Sequence, residues 1–203
     1  MDDDWIMHFF EQSSKTSDEK VQEIWARILA GEANKPGSYS KRTINFLTEI
    51  EKGDAELFGK LCNFVWYINN SPYPLIPEPT DPIYSRNGIN FEGVQHLESL
   101  GLINLDATAG YQLSNKDEGT SNHFILSYNK RYFLCEIPEG REKVVQIGKV
   151  MLTKLGRELL MVCPLQVIEK LEEYIQVYYE STGNKLREIT AQSLTHDDTV
   201  PPS

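Results

Sequence analysis

With 203 residues, 40% of them apolar and 25% charged, the chain has ordinary globular composition, which excludes a disordered, collagenous or low-complexity chain. It contains no apolar run near the ~20 residues that span a bilayer, and its acidic start, Met1-Asp2-Asp3-Asp4, lacks the basic region of a signal peptide. The net charge of −10 excludes a bulk electrostatic attraction to nucleic acids or anionic membranes, so we expect a cytoplasmic protein without membrane contact.

Residues 1–70 have the apolar periodicity of a helical bundle. The first predicted helix, 3–13, places Trp5, Phe9 and Phe10 at helical spacing. The other three helices run from the capping box Thr16-x-x-Glu19 to the stop at Asn34-Lys35-Pro36-Gly37, from 40 to 50, and from 54 to 69. The last of these is apolar on more than one face, so we expect it to be the central helix.

A proline-rich segment follows the bundle. Five prolines between Pro72 and Pro82 exclude a regular helix, because proline removes a backbone donor and restricts the residue before it. We therefore predict a stiff connector over 71–82 and a domain boundary at this point.

Residues 83–163 are predicted to form a mixed part of helices and strands. A helix begins at Asn90 and ends at Gly101, strands follow, and Asn129-Lys130 is a tight turn between two of them. Thr153 caps a helix over 154–163. The helix ending at Gly101, the strands and the Leu152-Thr153-x-x-Gly156 turn resemble a winged-helix module, in which a hairpin forms the wing.

Residues 164–192 are predicted to be helical. Proline is favoured in a first helical turn, so a long last helix starts near Pro164, and a short helical piece covers 185–192. Residues 193–203 are predicted to be a disordered tail. The predicted fold class is α+β: an N-terminal helical bundle, then a winged-helix-like half with a small antiparallel sheet and a long C-terminal helix.

Three segments of the N-terminal half carry a family resemblance: residues 17–32 with Ile24-Trp25-Ala26-Arg27-Ile28-Leu29-Ala30, then Pro36-Gly37-Ser38-Tyr39-Ser40, then Asp54-Ala55. The chain resembles the bacterial family called domain of unknown function 2806 and, more distantly, the Abi-alpha phage-resistance proteins. The resemblance implies a cytoplasmic bacterial or phage-borne protein in defence or another accessory process, and it implies no catalytic residues. Family members are longer at the N-terminus, so we expect a fragment of a longer protein.

The region predicted to hold the wing is the most basic part of the chain. Between residues 130 and 158 there are seven basic residues against four acidic ones. The predicted recognition helix, 90–100, has no lysine or arginine to anchor it on phosphates. A nucleic-acid interface would therefore use the wing, whereas an ordinary charged sheet edge would carry the same residues. The candidate nucleic-acid contacts are Lys130, Arg131, Arg141, Lys143 and Lys149.

Aromatic residues at the two ends of the chain are candidates for docking a protein partner or a second copy of the chain. Trp5, Phe9 and Phe10 could line a groove, and Tyr174 and Tyr178 lie on a helix that is apolar on nearly two faces. The same residues would also serve as core. We predict a non-catalytic interaction or regulatory module, with a nucleic-acid-binding winged-helix protein as the alternative.

No motif indicates an enzyme, a metal or another cofactor. The four histidines are isolated, and no phosphate-binding or nucleophile motif occurs. Cys62, Cys135 and Cys163 lie in apolar surroundings without a CxxC, so we expect three reduced, buried thiols.

Overall fold

A computed structural model describes residues 2–15, 19–114 and 122–190. The capping residue Thr16 and the predicted tail, 193–203, lie outside these ranges. Within the described residues the helices are α1 Asp3–Ser13, α2 Glu19–Asn34, α3 Lys41–Glu49, α4 Lys52–Cys62, α5 Pro82–Arg86, α6 Phe91–Ser99, α7 Lys154–Leu160 and α8 Leu171–Ser181. The strands are β1 Val65–Ile68, β2 Ser71–Pro74, β3 Ile103–Leu105, β4 Tyr111–Ser114, β5 His123–Tyr128, β6 Arg131–Glu136, β7 Val144–Gly148, β8 Val150–Leu152 and β9 Lys185–Ile189.

The α+β fold class is confirmed, and so are the first three helices. Asp2 caps α1 by accepting a hydrogen bond of 2.9 Å from the backbone N–H of Trp5. Ser40 caps α3 in the same way. The aromatic residues of α1 and α2 form one cluster, because Phe9 stacks on Trp5 at 5.3 Å and meets Trp25 edge-on at 5.2 Å.

The fourth helix is shorter than predicted, and the prediction of a helix through residue 69 is wrong. Helix α4 ends at Cys62, and Val65–Ile68 is strand β1, which pairs with β2 across a turn at Asn69 and Asn70. Both asparagines have positive φ, 46° and 67°, which asparagine tolerates better than most residues. A short apolar run of β-branched and aromatic residues fits a buried strand as well as a helix, so periodicity alone misassigned it.

The predicted connector also begins with a strand. Prolines are tolerated in β2 because it lies at the edge of its sheet and because Pro72 and Pro74 occupy alternate positions. The positions of β2 that hydrogen-bond to β1 alternate with these prolines, so neither proline removes a needed N–H donor. The hydrogen-bonded position after Pro74 is Leu75, which donates its N–H to the carbonyl oxygen of Phe64 at 3.0 Å. The prediction of a connector without regular structure is therefore wrong for 71–74.

The main sheet is antiparallel with the strand order β2-β1-β5-β6-β9. The predicted tight turn at Asn129 and Lys130 is confirmed, with φ values of 48° and 62°. Its second strand, β6, pairs with β5 on one side and with β9 on the other, so this hairpin lies inside a sheet and does not project as a wing. The prediction of a helical piece at 185–192 is wrong, because strand β9 covers Lys185–Ile189.

The prediction of a long C-terminal helix from Pro164 is also wrong. Residues 161–170 have no regular structure, and α8 covers only Leu171–Ser181. Lys170, with a φ of 63°, sets the backbone in the left-handed conformation immediately before α8. Proline at position 164 is compatible with a helix start, but the N–H groups of residues 166 and 168 bond to side chains elsewhere in the fold and not to carbonyl oxygens of a helix.

Two small antiparallel pairs, β3 with β8 and β4 with β7, complete the described structure. The buried apolar residues form one cluster that runs from Trp5 to Leu186. Strand β1 of the first predicted unit pairs with β5 of the third, while the division at residues 70 and 83 stays a prediction. None of the helices in the described ranges combines the length and the apolar character needed to cross a bilayer.

Candidate interaction surface

Two of the five cations of the predicted nucleic-acid interface, Arg131 and Lys149, form ion pairs with acidic groups of the same chain. Arg131 forms ion pairs with Glu172 and with Glu188, the latter at 2.6 Å. The hydrogen bond from Arg131 lowers the pKa of the Glu188 carboxyl. Lys149 contacts Glu78 at 2.6 Å, and this hydrogen bond lowers the pKa of Glu78.

The five predicted nucleic-acid contacts are not gathered at one place on the fold. Arg131 of β6 bonds to Glu172 in the first turn of α8. Arg141 instead donates a hydrogen bond of 3.1 Å to the carbonyl oxygen of Thr182, at the end of that helix. Ten helical residues separate these points by about 15 Å. Lys130 lies exposed in the β5–β6 turn, and Lys143 immediately precedes β7.

The predicted aromatic docking residues are mostly used inside the fold. Trp5 and Phe9 are buried, and the indole N–H of Trp5 donates to the carbonyl oxygen of Tyr39 at 2.9 Å. Phe10, at 57% exposed, is the member of this group that a partner can reach.

The tyrosines of α8 also have intrachain contacts. The Tyr174 hydroxyl donates to the Asp81 carboxylate, and its ring meets Tyr84 edge-on at 5.7 Å. Burial and the Asp81 charge raise the pKa of the Tyr174 hydroxyl. Tyr178 is half-buried beside Tyr179, at 5.4 Å between ring centres.

Two of the three segments that carried the family resemblance, 17–32 and 36–40, contribute to contacts around two buried carboxylates. Glu158, on α7, accepts hydrogen bonds from the N–H and hydroxyl of Ser40, at 2.7 and 3.0 Å, and from the hydroxyl of Thr43. Glu32 accepts from the N–H of Gly37 at 2.7 Å and from that of Tyr39 at 3.1 Å. A cleft of about 260 Å³ lies beside Ser40, but the hydroxyl that borders it is already engaged. This region is therefore a structural junction.

An exposed apolar segment follows α7. Residues 161–168, Met-Val-Cys-Pro-Leu-Gln-Val-Ile, contain no charged residue in a chain that is 25% charged. We call this segment the apolar loop. Its side chains Met161, Leu165 and Val167 are 57%, 51% and 57% exposed, while those of Val162 and Ile168 point into the core.

The backbone of the apolar loop is held by three polar contacts from different elements. Arg27 of α2 donates to the carbonyl oxygen of Val162 at 3.1 Å. The side-chain oxygen of Asn63 accepts from the N–H of Gln166 at 2.7 Å, and the hydroxyl of Tyr128 accepts from the N–H of Ile168 at 2.9 Å. These three contacts set the path of the loop backbone, and with it the positions from which the exposed apolar side chains project.

A cleft of about 280 Å³ adjoins the apolar loop at Val167. Three glutamates, Glu169, Glu172 and Glu173, and two cations, Lys170 and Arg131, line it. One of these cations, Arg131, is shared with Glu188 of β9, so the charge around the cleft is acidic. The candidate surface therefore consists of the apolar loop and the acidic cleft beside it.

Two thiols meet beneath the apolar loop. Cys62 ends α4 and is fully buried, and its thiol lies close enough to that of the partly exposed Cys163 for the two to interact. Burial raises the pKa of the Cys62 thiol, whereas the hydrogen bond from Cys62 and the charge of Arg27 lower the pKa of the Cys163 thiol. The third thiol, Cys135, is buried in the sheet, and burial raises its pKa to about 12.

Among the described residues, no group of three or more histidine, cysteine or acidic side chains could hold a metal ion. A family described as protein of unknown function (DUF2806) matches residues 1–177. The chain belongs to the DUF2806 family. No curated protein and no solved structure matched the chain. The similarity to Abi-alpha proteins and the winged-helix resemblance have no support from these comparisons.

Sequence reasoning missed the apolar loop of this DUF2806 chain because it assigned residues 164–170 to a helix. The available signal was weak: residues 161–168 are uncharged around Pro164, but so is the longer run 61–77, much of which is buried. The thiol pair had no such signal, because 101 positions separate Cys62 from Cys163 in the sequence and only the fold brings them together.

Proposed function

We propose that this chain is a non-catalytic protein-interaction module of a bacterial DUF2806 protein, and that the apolar loop binds the partner. The observation that carries the proposal is three large apolar side chains, each more than half exposed, on seven consecutive residues of a fixed backbone. Exposed apolar side chains gathered on one segment are typical of a protein-binding site. The proposal places the protein in the cytoplasm, where its three free cysteines remain thiols.

The charges around the apolar loop favour a particular kind of partner. The adjoining cleft is lined by Glu169 and Glu173, and the chain carries a net charge of −10. A second copy of the chain brings like charge to this surface, whereas a segment with lysine or arginine brings opposite charge. The proposed partner is therefore a different protein, which presents an aliphatic segment flanked by basic residues.

The alternative function is nucleic-acid binding through the basic residues of the predicted wing. The ion pairs of Arg131 and Lys149 support the protein partner over this alternative, because paired cations release few counterions from a phosphate backbone. The similarity that suggested phage defence has no support, so defence is not part of the proposal.

A selection experiment tests the proposed surface directly. Random peptides displayed on phage are selected against the reduced protein, and the affinity of each selected peptide is measured by fluorescence anisotropy. We expect aliphatic peptides with flanking lysine or arginine. Their binding should weaken by about tenfold or more in the triple variant Met161→Ser/Leu165→Ser/Val167→Ser, because a docking site loses most affinity when its central apolar groups are removed.

The chain offers a matched control for this variant. Met7, Phe10 and Val177 are 72%, 57% and 64% exposed and lie outside the apolar loop. The triple variant Met7→Ser/Phe10→Ser/Val177→Ser should bind the peptides as the unaltered protein does. If peptide affinity falls equally in both triple variants, or is unchanged in the loop variant, the proposed surface is wrong.

Two solution measurements test the alternatives. Sedimentation at micromolar concentration is expected to show a monomer, and a dimer that dissociates in the loop variant would replace the basic partner with a second copy. Gel-shift titrations with duplex DNA, single-stranded DNA and RNA at low salt are expected to show no complex. A complex that is lost in the variant Lys130→Ala/Arg131→Ala/Lys143→Ala would favour the nucleic-acid alternative.

A further inference from the structure

The fold places two thiols together by contacts that are independent of the thiols themselves. Asn63, next to Cys62 in the chain, accepts a hydrogen bond of 2.7 Å from the N–H of Gln166, three residues after Cys163. This contact fixes the end of α4 against the apolar loop. The neighbouring thiols of Cys62 and Cys163 are thereby brought close enough to interact.

The two thiols have different surroundings, which suit different steps of one reaction. Cys163 is partly exposed and lies near the guanidinium of Arg27, which favours the thiolate form. Cys62 is enclosed by the core and is reachable from Cys163. A small oxidant therefore reacts with Cys163 first, and the Cys62 thiol beneath it can then react with the oxidised Cys163 sulfur.

We propose that Cys62 and Cys163 form a redox-active pair that a small peroxide, such as hydrogen peroxide, oxidises to an intramolecular disulfide, and that this oxidation changes the apolar loop. The second half of the proposal rests on the proposed function of the loop. The residues flanking Cys163 include the exposed Met161 and Leu165, so a bond from Cys163 to α4 displaces side chains of the docking surface.

The reaction balances with the peroxide as the oxidant. The Cys163 thiolate attacks one peroxide oxygen, the O–O bond breaks, and the products are a sulfenic acid on Cys163 and one water after protonation. The Cys62 thiol then attacks the Cys163 sulfur, the S–O bond breaks, and a second water leaves as the disulfide forms. Two thiols lose two electrons in total, and one peroxide gains them.

Peptide mapping tests whether the disulfide forms, independently of whether the apolar loop binds a partner. The reduced protein is treated with hydrogen peroxide, remaining thiols are alkylated, and the digest is examined by mass spectrometry. We expect a linked peptide joining Cys62 to Cys163, and an alkylated Cys135. A disulfide that involves Cys135, or oxidation of Cys163 to sulfinic acid without a linked peptide, would overturn the proposal.

Three single variants separate the roles of the thiols. Cys62→Ala should stop the reaction at a sulfenic acid on Cys163, which dimedone traps. Cys163→Ala should prevent peroxide consumption, and Cys135→Ala should react as the unaltered protein does. Because the hydrogen bond from Cys62 lowers the pKa of Cys163, alkylation of Cys163 near neutral pH should be several-fold slower in Cys62→Ala, and an unchanged rate would count against the pair.

The effect on the apolar loop is measured with the peptides selected on the reduced protein. Oxidation should weaken their binding several-fold, and dithiothreitol should restore it, while Cys62→Ala should show no such change. If the disulfide forms and binding is unaltered, the regulatory half of the proposal fails. If no peptide is selected at all, the proposed function fails, and the peptide map still decides whether the thiol pair exists.

Discussion

Glu158 shows how one buried charge organises a junction between distant parts of the chain. Its side chain is 8% exposed, and three of its hydrogen-bond donors belong to Ser40 and Thr43, more than a hundred positions earlier. Lys154, one helical turn before it, lies 3.8 Å away and is largely exposed. A buried carboxylate is tolerated here because donors surround it.

We predict that Glu158→Gln lowers the free energy of unfolding by about 2 kcal/mol, because the amide removes a charged acceptor and turns donors toward donors. Urea unfolding followed by circular dichroism measures this change. The matched substitution Glu139→Gln, at an exposed loop position, should change stability by less than about 0.5 kcal/mol. Equal effects of the two substitutions would show that the contacts of Glu158 contribute little.

Helix α7 and strand β3 pack so closely that the spacing depends on a glycine. A Cβ atom at Gly156 would lie 2.1 Å from the carbonyl oxygen of Leu102, which is backbone and cannot move aside alone. The same carbonyl oxygen accepts a hydrogen bond of 3.1 Å from the N–H of Thr153, so the strand and the helix start are tied together. The Leu-Thr-x-x-Gly turn therefore has a packing role in this fold.

We predict opposite signs for alanine at two helical glycines. Gly156→Ala should destabilise the protein by about 2 kcal/mol or more, because overpacking outweighs the better helix propensity of alanine. Gly59→Ala, in α4, has nothing within 4 Å of the new Cβ and should stabilise by up to about 1 kcal/mol. Thermal melts of both variants measure the difference, and destabilisation by Gly59→Ala would contradict the stated packing.

The N-terminal helices and the sheets share one core in the described structure. Strand β1 pairs with β5, and the aromatic ring of Trp66 in β1 stacks on that of Tyr128 in β5 at 4.9 Å. Helix α3 is held to α7 through Glu158, as described above. Contacts of this kind make the folding of each part depend on the other.

We predict that the chain cut after residue 82 yields two fragments, 1–82 and 83–203, that do not fold separately, because each exposes apolar surface that the other covers in the intact chain. Thermal unfolding of each fragment should lack the single cooperative transition expected of the whole chain. A cooperative transition in either fragment would instead support the domain division predicted from the proline-rich segment.

Local patterns in the sequence were enough to predict the fold class, the family and several helix caps and turns. Amphipathic periodicity, the caps Asp2 and Ser40 and the Asn129-Lys130 turn depend on neighbours in the chain, so they were predictable. Strand β1 was not, because a short apolar run becomes a strand only when a partner strand accepts its hydrogen bonds. The same reason applies to the candidate site. The N–H groups of Gln166 and Ile168 bond to Asn63 and Tyr128 instead of closing a helical turn, and Cys62 meets Cys163 because those contacts join α4 to the loop.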